Sequence, residues 1–79
     1  MEFSLYHSPW CPFCVRVIVA LKSMPSLDVQ LRDINSQENY LALKKGGGKT
    51  QVPCLLIENN GHQQWMYESF DIINYLKSQ

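Results

Sequence analysis

Residues 2–21 read EFSLYHSPWCPFCVRVIVAL, and the change of period within them decides the fold. Over Glu2–His7, apolar Phe3 and Leu5 alternate with polar neighbours, the two-residue period of a strand. Ser8-Pro9-Trp10 breaks that strand. Pro12 suits the first position of a helix, where its missing N–H does no harm, and this puts Cys11 at or near the N-cap. From Val15 the positions Val15, Ile18, Val19 and Lys22 predict one helical face, and Met24-Pro25 ends the helix.

Working outward, Leu27, Val29 and Leu31 alternate through Leu27–Asp33, a second strand. A helix between two strands predicts parallel pairing with a right-handed crossover. Ser36 is a plausible N-cap for a short helix carrying Tyr40, Leu41 and Leu43, and Gly46-Gly47-Gly48 stops it. Cys54-Leu55-Leu56-Ile57 reads as a short buried strand. Asn60-Gly61 is a strong hairpin signal, with Gln63–Tyr67 returning. Glu68 or Ser69 opens a last helix with a broad apolar face of Phe70, Ile72, Ile73, Tyr75 and Leu76. The predicted order is β-α-β-α-β-β-α, with no internal repeat or domain boundary, so residues 1–79 are expected to form a single domain.

Composition narrows the function classes. The chain has 79 residues, and its seven Lys and Arg balance seven Asp and Glu. Without a surplus of cations it makes a poor nucleic-acid or membrane-surface binder, and a monomer is expected. The longest apolar run, Val17–Leu21, is five residues, whereas a membrane-spanning helix needs about 20. The first residues lack a signal peptide's basic and apolar regions, so a cytoplasmic location is expected. Three cysteines, an odd number, argue against a secreted disulfide framework.

Cys11-Pro12-Phe13-Cys14 carries most of the chemistry. Side chains at i and i+3 on a helix lie about 5–6 Å apart, and the open first turn can bring them to disulfide distance. At the helix N-terminus, Cys11 faces unsatisfied N–H groups and the positive end of the dipole. Both stabilise a thiolate, the nucleophilic form. Cys14, one turn deeper, suits a resolving thiol. Half of a zinc site is the rival reading, but it needs two further ligands, and Cys54, His7 and His62 are the only Cys or His candidates. A Cys-x-x-Cys that follows a first strand and opens a helix reads as a thioredoxin-like redox site.

These motifs resemble a glutaredoxin over nearly the whole chain: Leu5-Tyr6, Cys11-Pro12-Phe13-Cys14, Gln51-Val52-Pro53 before a strand, and Glu68-Ser69 opening the last helix. The second half, with Gln51–Leu55 and Met66–Leu76, is also similar to the N-terminal domain of glutathione S-transferases and to the two-domain bacterial glutaredoxins built on that plan. Those proteins continue into a larger helical domain, so this chain is read as a stand-alone version or an excised piece. The resemblance implies a four-stranded mixed sheet flanked by helices. It implies glutathione as co-substrate, with no bound cofactor or metal, and protein disulfides or glutathionylated proteins as substrates. Glutathione reductase would act indirectly. Cys11 would be the nucleophile and Cys14 the resolving thiol. Pro12, Phe13, Gln51, Val52, Pro53, Glu68 and Ser69 would meet glutathione. Val52 would pair its backbone with the tripeptide like an added strand edge, Pro53 would be cis, and Glu68 and Ser69 would receive the γ-glutamyl end.

The sequence departs from the family pattern in two places. Phe13 stands where Tyr is usual, and Ser8 stands where many glutaredoxins carry a Lys three residues before the first Cys. Lys44, Lys45 or Lys49 could meet the glycine carboxylate in its stead, and Arg16 could raise the local potential. Trp10 reads as the edge of the site, His7 as a strand-end histidine and His62 as solvated. Cys54 reads as a small buried hydrophobe or a third redox thiol. Tyr40, Tyr67, Phe70 and Tyr75 read as packing. Three rivals remain. One is a thioredoxin-type redoxin that takes electrons from a flavin reductase. Another is a non-catalytic glutathione- or iron–sulfur-binding module, against which Pro12 argues. The third is a transferase fragment, in which Cys replaces the commoner Ser or Tyr.

Overall fold

The computed structural model describes residues 1–79. The elements run β1 (Glu2–His7), α1 (Pro12–Leu21), β2 (Val29–Asp33), α2 (Gln37–Gly47), β3 (Cys54–Asn59), β4 (His62–Met66) and α3 (Ser69–Lys77). The four strands make one mixed sheet in the order β2-β1-β3-β4. β1 and β2 are parallel, with Leu5 beside Leu31, as the crossover through α1 requires. β3 runs antiparallel to β1 and to β4. Asn60 and Gly61 both adopt positive φ, 53° and 84°, the conformation of a two-residue hairpin turn. The predicted order and pairing are those observed.

The two-residue period divides the core between the faces of the sheet. Phe3, Leu5, Leu55 and Ile57 point to one side and pack with Val17, Ile72 and Leu76. Tyr6, Cys54 and Leu56 point to the other and pack with Leu43. Thus α1 and α3 cover one face and α2 the other. The central strands β1 and β3 are buried on both sides, while the edge strands carry the polar residues Gln30, Arg32, Gln63 and Gln64. Full burial of each large apolar side chain contributes about 1.5–3 kcal/mol.

Several sequence expectations shift. In α1 the buried positions are Cys14 and Val17, whereas Val15 is 47% and Val19 55% exposed. The helix is apolar nearly all round, so period alone does not fix its rotation. Its rotation is the one that buries Cys14. β2 starts at Val29, because the Leu27 N–H is used in a turn to the Met24 carbonyl. Leu31 faces the α1 side but lies at the sheet edge, where the helix does not cover it, and it is half exposed. Gly46 and Gly47 stay within α2. Only Gly48, at φ 83°, ends the helix, its N–H bonding the Lys44 carbonyl. Tyr67 lies just beyond β4. Tyr75 packs edge-on to Phe3, with ring centroids 6.1 Å apart. Phe70 and Tyr40, expected in the packing, are exposed, Phe70 to 70%.

Candidate functional site

Three chain segments meet where β1, β3 and α3 begin or end. The first is the opening of α1. Cys11 is its N-cap in extended conformation, and Pro12 is the first helical residue. The Cys11 sulfur accepts the Cys14 N–H at 3.2 Å. This is the capping bond that a Ser or Asp would make, made here by a thiol. The same sulfur lies 3.7 Å from the Val52 carbonyl, to which its S–H donates. Cys11 is half-buried.

Cys14 is fully buried beneath it. Burial pushes its thiol up to about 12, and the hydrogen bond with Cys11 adds to the rise, while the Ser8 main chain opposes it. The two thiols differ in access as the sequence predicts. Cys54 is also fully buried, on the far side of the sheet with Tyr6, Leu43 and Leu56. Burial pushes its thiol up to about 11, with the Tyr67 hydroxyl working in the opposite direction. It is placed as a small hydrophobe. All three thiols are free.

The second segment is the loop before β3, whose Val52–Pro53 peptide is cis. The third is the start of α3. Glu68 is the N-cap, but its side chain makes no capping bond. The first α3 main-chain bond is Ile72 N–H to the Glu68 carbonyl, so the amides of the first turn point outward unpaired. Loop and helix end enclose a cleft of about 150 Å³ lined by Phe13, Gln51, Val52, Pro53, Tyr67, Glu68 and Ser69. Six of the seven predicted binding residues line it; Pro12 stays outside. Cys11 is not itself in the lining but touches it through the Val52 carbonyl. Larger hollows, about 370 Å³ beside Met1 and His62 and about 510 Å³ beside Trp65, share no residue with this cleft.

The remaining candidates separate. Trp10 is 87% exposed. The Arg16 guanidinium stacks 5.7 Å from the Phe13 ring centroid, and the Lys49 ammonium sits 5.5 Å from that of Tyr67. Lys44 and Lys45 are exposed on the last turn of α2, and His62 is exposed at the hairpin. The Nδ1 of His7 is buried without a partner. No three His, Cys, Asp or Glu side chains gather as metal ligands. Tyr67, read from sequence as packing, lines the cleft. Its position directly before Glu68-Ser69 was the one available signal.

A β-α-β unit followed by a β-hairpin and a closing helix, with a Cys-x-x-Cys pair opening its first helix, is the thioredoxin-like arrangement. Within that class the chain belongs to the family of glutathione S-transferase N-terminal domains, whose model matches residues 5–79. It is 28% identical over 57 residues to glutaredoxin 1 of Rickettsia prowazekii, a match over 70% of this chain and 60% of that protein. A trimeric glutathione transferase of Leishmania superposes with a TM-score of 0.76 at 27% identity, over 98% of this chain and 17% of that one. The omega 2C glutathione transferase of Trametes versicolor shares the fold, with a TM-score of 0.78 at 20% identity over 98% of this chain and 38% of its own. The chain therefore spans only part of each of these proteins. No helix is long and apolar enough to cross a membrane.

Proposed function

We propose that this domain is a glutathione-dependent thiol–disulfide oxidoreductase with Cys11 as nucleophile. The observation that carries the reading is the 3.7 Å approach of the Cys11 sulfur to the Val52 carbonyl. It puts the half-buried thiol against Val52, a residue of the cleft that also carries the start of α3. At about 150 Å³ the cleft is smaller than a typical enclosed ligand pocket, which suits an extended peptide laid along it. Val52 offers backbone groups to the cysteinyl unit. The unpaired amides of the first α3 turn and the Ser69 hydroxyl suit a carboxylate, and Glu68 suits an ammonium. Together these match the γ-glutamyl end of glutathione.

In the reaction, the Cys11 thiolate attacks the glutathionyl sulfur of a mixed disulfide. A new S–S bond forms to Cys11, the old one breaks, and the substrate leaves as a thiolate that takes up a proton. A second glutathione thiolate then attacks the glutathionyl sulfur on Cys11, releasing oxidised glutathione and restoring the Cys11 thiolate. In net, the substrate thiol is released and one reduced glutathione is oxidised, the other half of the oxidised glutathione coming from the mixed disulfide itself. With protein disulfides, Cys14 displaces the substrate from Cys11 and closes the Cys11–Cys14 bond, which two glutathiones then reopen as they are oxidised to the disulfide. Residues 1–79 are proposed to act as one domain.

The test is glutathione-coupled reduction of a glutathione mixed disulfide, followed as NADPH loss with glutathione reductase. Wild-type activity abolished in Cys11→Ser supports the proposal. A wild type silent with glutathione but active with thioredoxin reductase would replace it with the flavin-reductase reading.

A further inference from the structure

The loop that carries Gln51, Val52 and Pro53 is lightly held. No main-chain hydrogen bond ties the backbone of residues 49–52 to the rest of the chain. Apart from the Cys11 contact at Val52, one hydrogen bond grips it: the Tyr67 hydroxyl donates to the Lys49 carbonyl at 3.1 Å. The Lys49 side chain folds back over the same ring, 5.5 Å from its centroid. Tyr67 thus holds the loop at its start while lining the cleft.

Two glycines make room for this grip. Gly46 and Gly47 lie inside α2, where each costs about 1 kcal/mol relative to Ala, so the position calls for a reason. A Cβ on Gly47 would overlap the Tyr67 hydroxyl and stand 3.3 Å from the Trp65 ring; one on Gly46 would overlap the Trp65 ring itself. The last turn of α2 is therefore a seat for two aromatic side chains presented from the end of the hairpin.

Building on the glutathione reading above, we infer that Tyr67, seated on Gly47, is a positioning residue that sets glutathione affinity by holding the loop of residues 49–53 against the cleft. It touches no reacting atom. Its hydroxyl fixes where the Val52 backbone stands when glutathione arrives. Removing it leaves the loop to be ordered by the ligand, and that ordering is subtracted from binding.

The test is a double-mutant cycle of Tyr67→Phe and Gly47→Ala in the coupled assay with glutathione varied. Tyr67→Phe keeps the ring and should raise the KM for glutathione about five- to ten-fold, the worth of one neutral hydrogen bond, with kcat within two-fold of wild type. Gly47→Ala should do the same by displacing the hydroxyl. In the Tyr67→Phe background it should add less than two-fold, because the overlapping atom is gone and the ring carbon left at 3.1 Å has only a few tenths of an ångström to give. Backbone ¹⁵N order parameters of residues 49–52, measured without ligand, should fall in Tyr67→Phe from about 0.85 toward 0.6, while those of α1 stay unchanged.

An unchanged KM in Tyr67→Phe, a fall confined to kcat, or fully additive single effects would overturn the inference. Unchanged order parameters would overturn it even if the domain proved to have no glutathione-dependent activity, an outcome that would separately sink the proposed function.

Discussion

Remove the accessible thiol, and the burial of Cys14 becomes measurable. In Cys11→Ser the remaining thiols are Cys14 and Cys54, both fully buried. Burial is the largest cause of the rise of Cys14 to about 12 and does not depend on what occupies position 11, whereas the smaller raising contributions of Cys11 go with its thiol, so that value is a ceiling for the variant. At pH 7.5 a thiol of that pKa is ionised to roughly three parts in 10⁵, against roughly one part in ten for an ordinary cysteine at about 8.5. The more basic thiolate is intrinsically more nucleophilic, by about 40-fold for a Brønsted slope near 0.45 over 3.5 units. Ionisation outweighs nucleophilicity, leaving a deficit of up to about 80-fold, to which steric protection adds. With Ellman's reagent at pH 7.5, native Cys11→Ser should therefore react about two orders of magnitude more slowly than free glutathione. Wild type should show a fast phase from Cys11. The slow rate should climb about tenfold per pH unit well past pH 9, where an ordinary thiol has levelled off, and guanidinium chloride should release both thiols at the ordinary rate. Reaction of the native variant within tenfold of free glutathione would refute the assignment of Cys14 as a withheld thiol.

Other consequences follow from burial and backbone geometry. Cys14 and Cys54 ionise later in the folded chain than in the unfolded one. Their contribution to stability is intact below the ordinary thiol pKa. Above it, the unfolded state binds fewer protons, and stability falls by up to about 1.4 kcal/mol per pH unit for each thiol. Urea melts between pH 9 and 10, below the range in which Tyr6 and Tyr67, also raised by burial, add to it, should show this fall, and Cys54→Ala should roughly halve its slope. Leu55, fully buried between β1 and β4 on the α1–α3 face, should cost about 2–5 kcal/mol on truncation to Ala, read as a lower urea midpoint at unchanged m. Gly48→Ala meets open space but a φ of 83°, so it should destabilise by about 1 kcal/mol through backbone strain alone. Ser69→Ala should raise the KM for glutathione several-fold while the Ellman's reaction of Cys11 stays at its wild-type rate.

The strands and their connections were legible because each is announced locally. The alternation of Phe3 and Leu5, the proline at the first position of α1 and the Asn60-Gly61 pair each admit few conformations. The N-cap place of Cys11 was legible for the same reason, whereas the burial of Cys14 turns on the rotation of α1. The rotation of α1 was not. A helix that reads PFCVRVIVAL offers apolar residues in nearly every direction, and only its contact with the sheet chooses Cys14 and Val17 over Val15 and Val19. Tyr67 was missed because its role is relational. Nothing in its own neighbourhood of sequence says that a carbonyl 18 residues earlier will come to lie 3.1 Å from its hydroxyl. Gly46 and Gly47 were read as a stop signal, when their missing side chains matter to a strand not yet laid down.

Cys11 stands at the surface end of a helix whose next turn hides Cys14 inside the protein. Any incoming disulfide can therefore meet one sulfur only. The proposed exchange would have a single doorway, and the second sulfur would act solely on what had already been admitted there. The order of events in that proposal would follow from the depth of the two residues, with no moving part needed to enforce it.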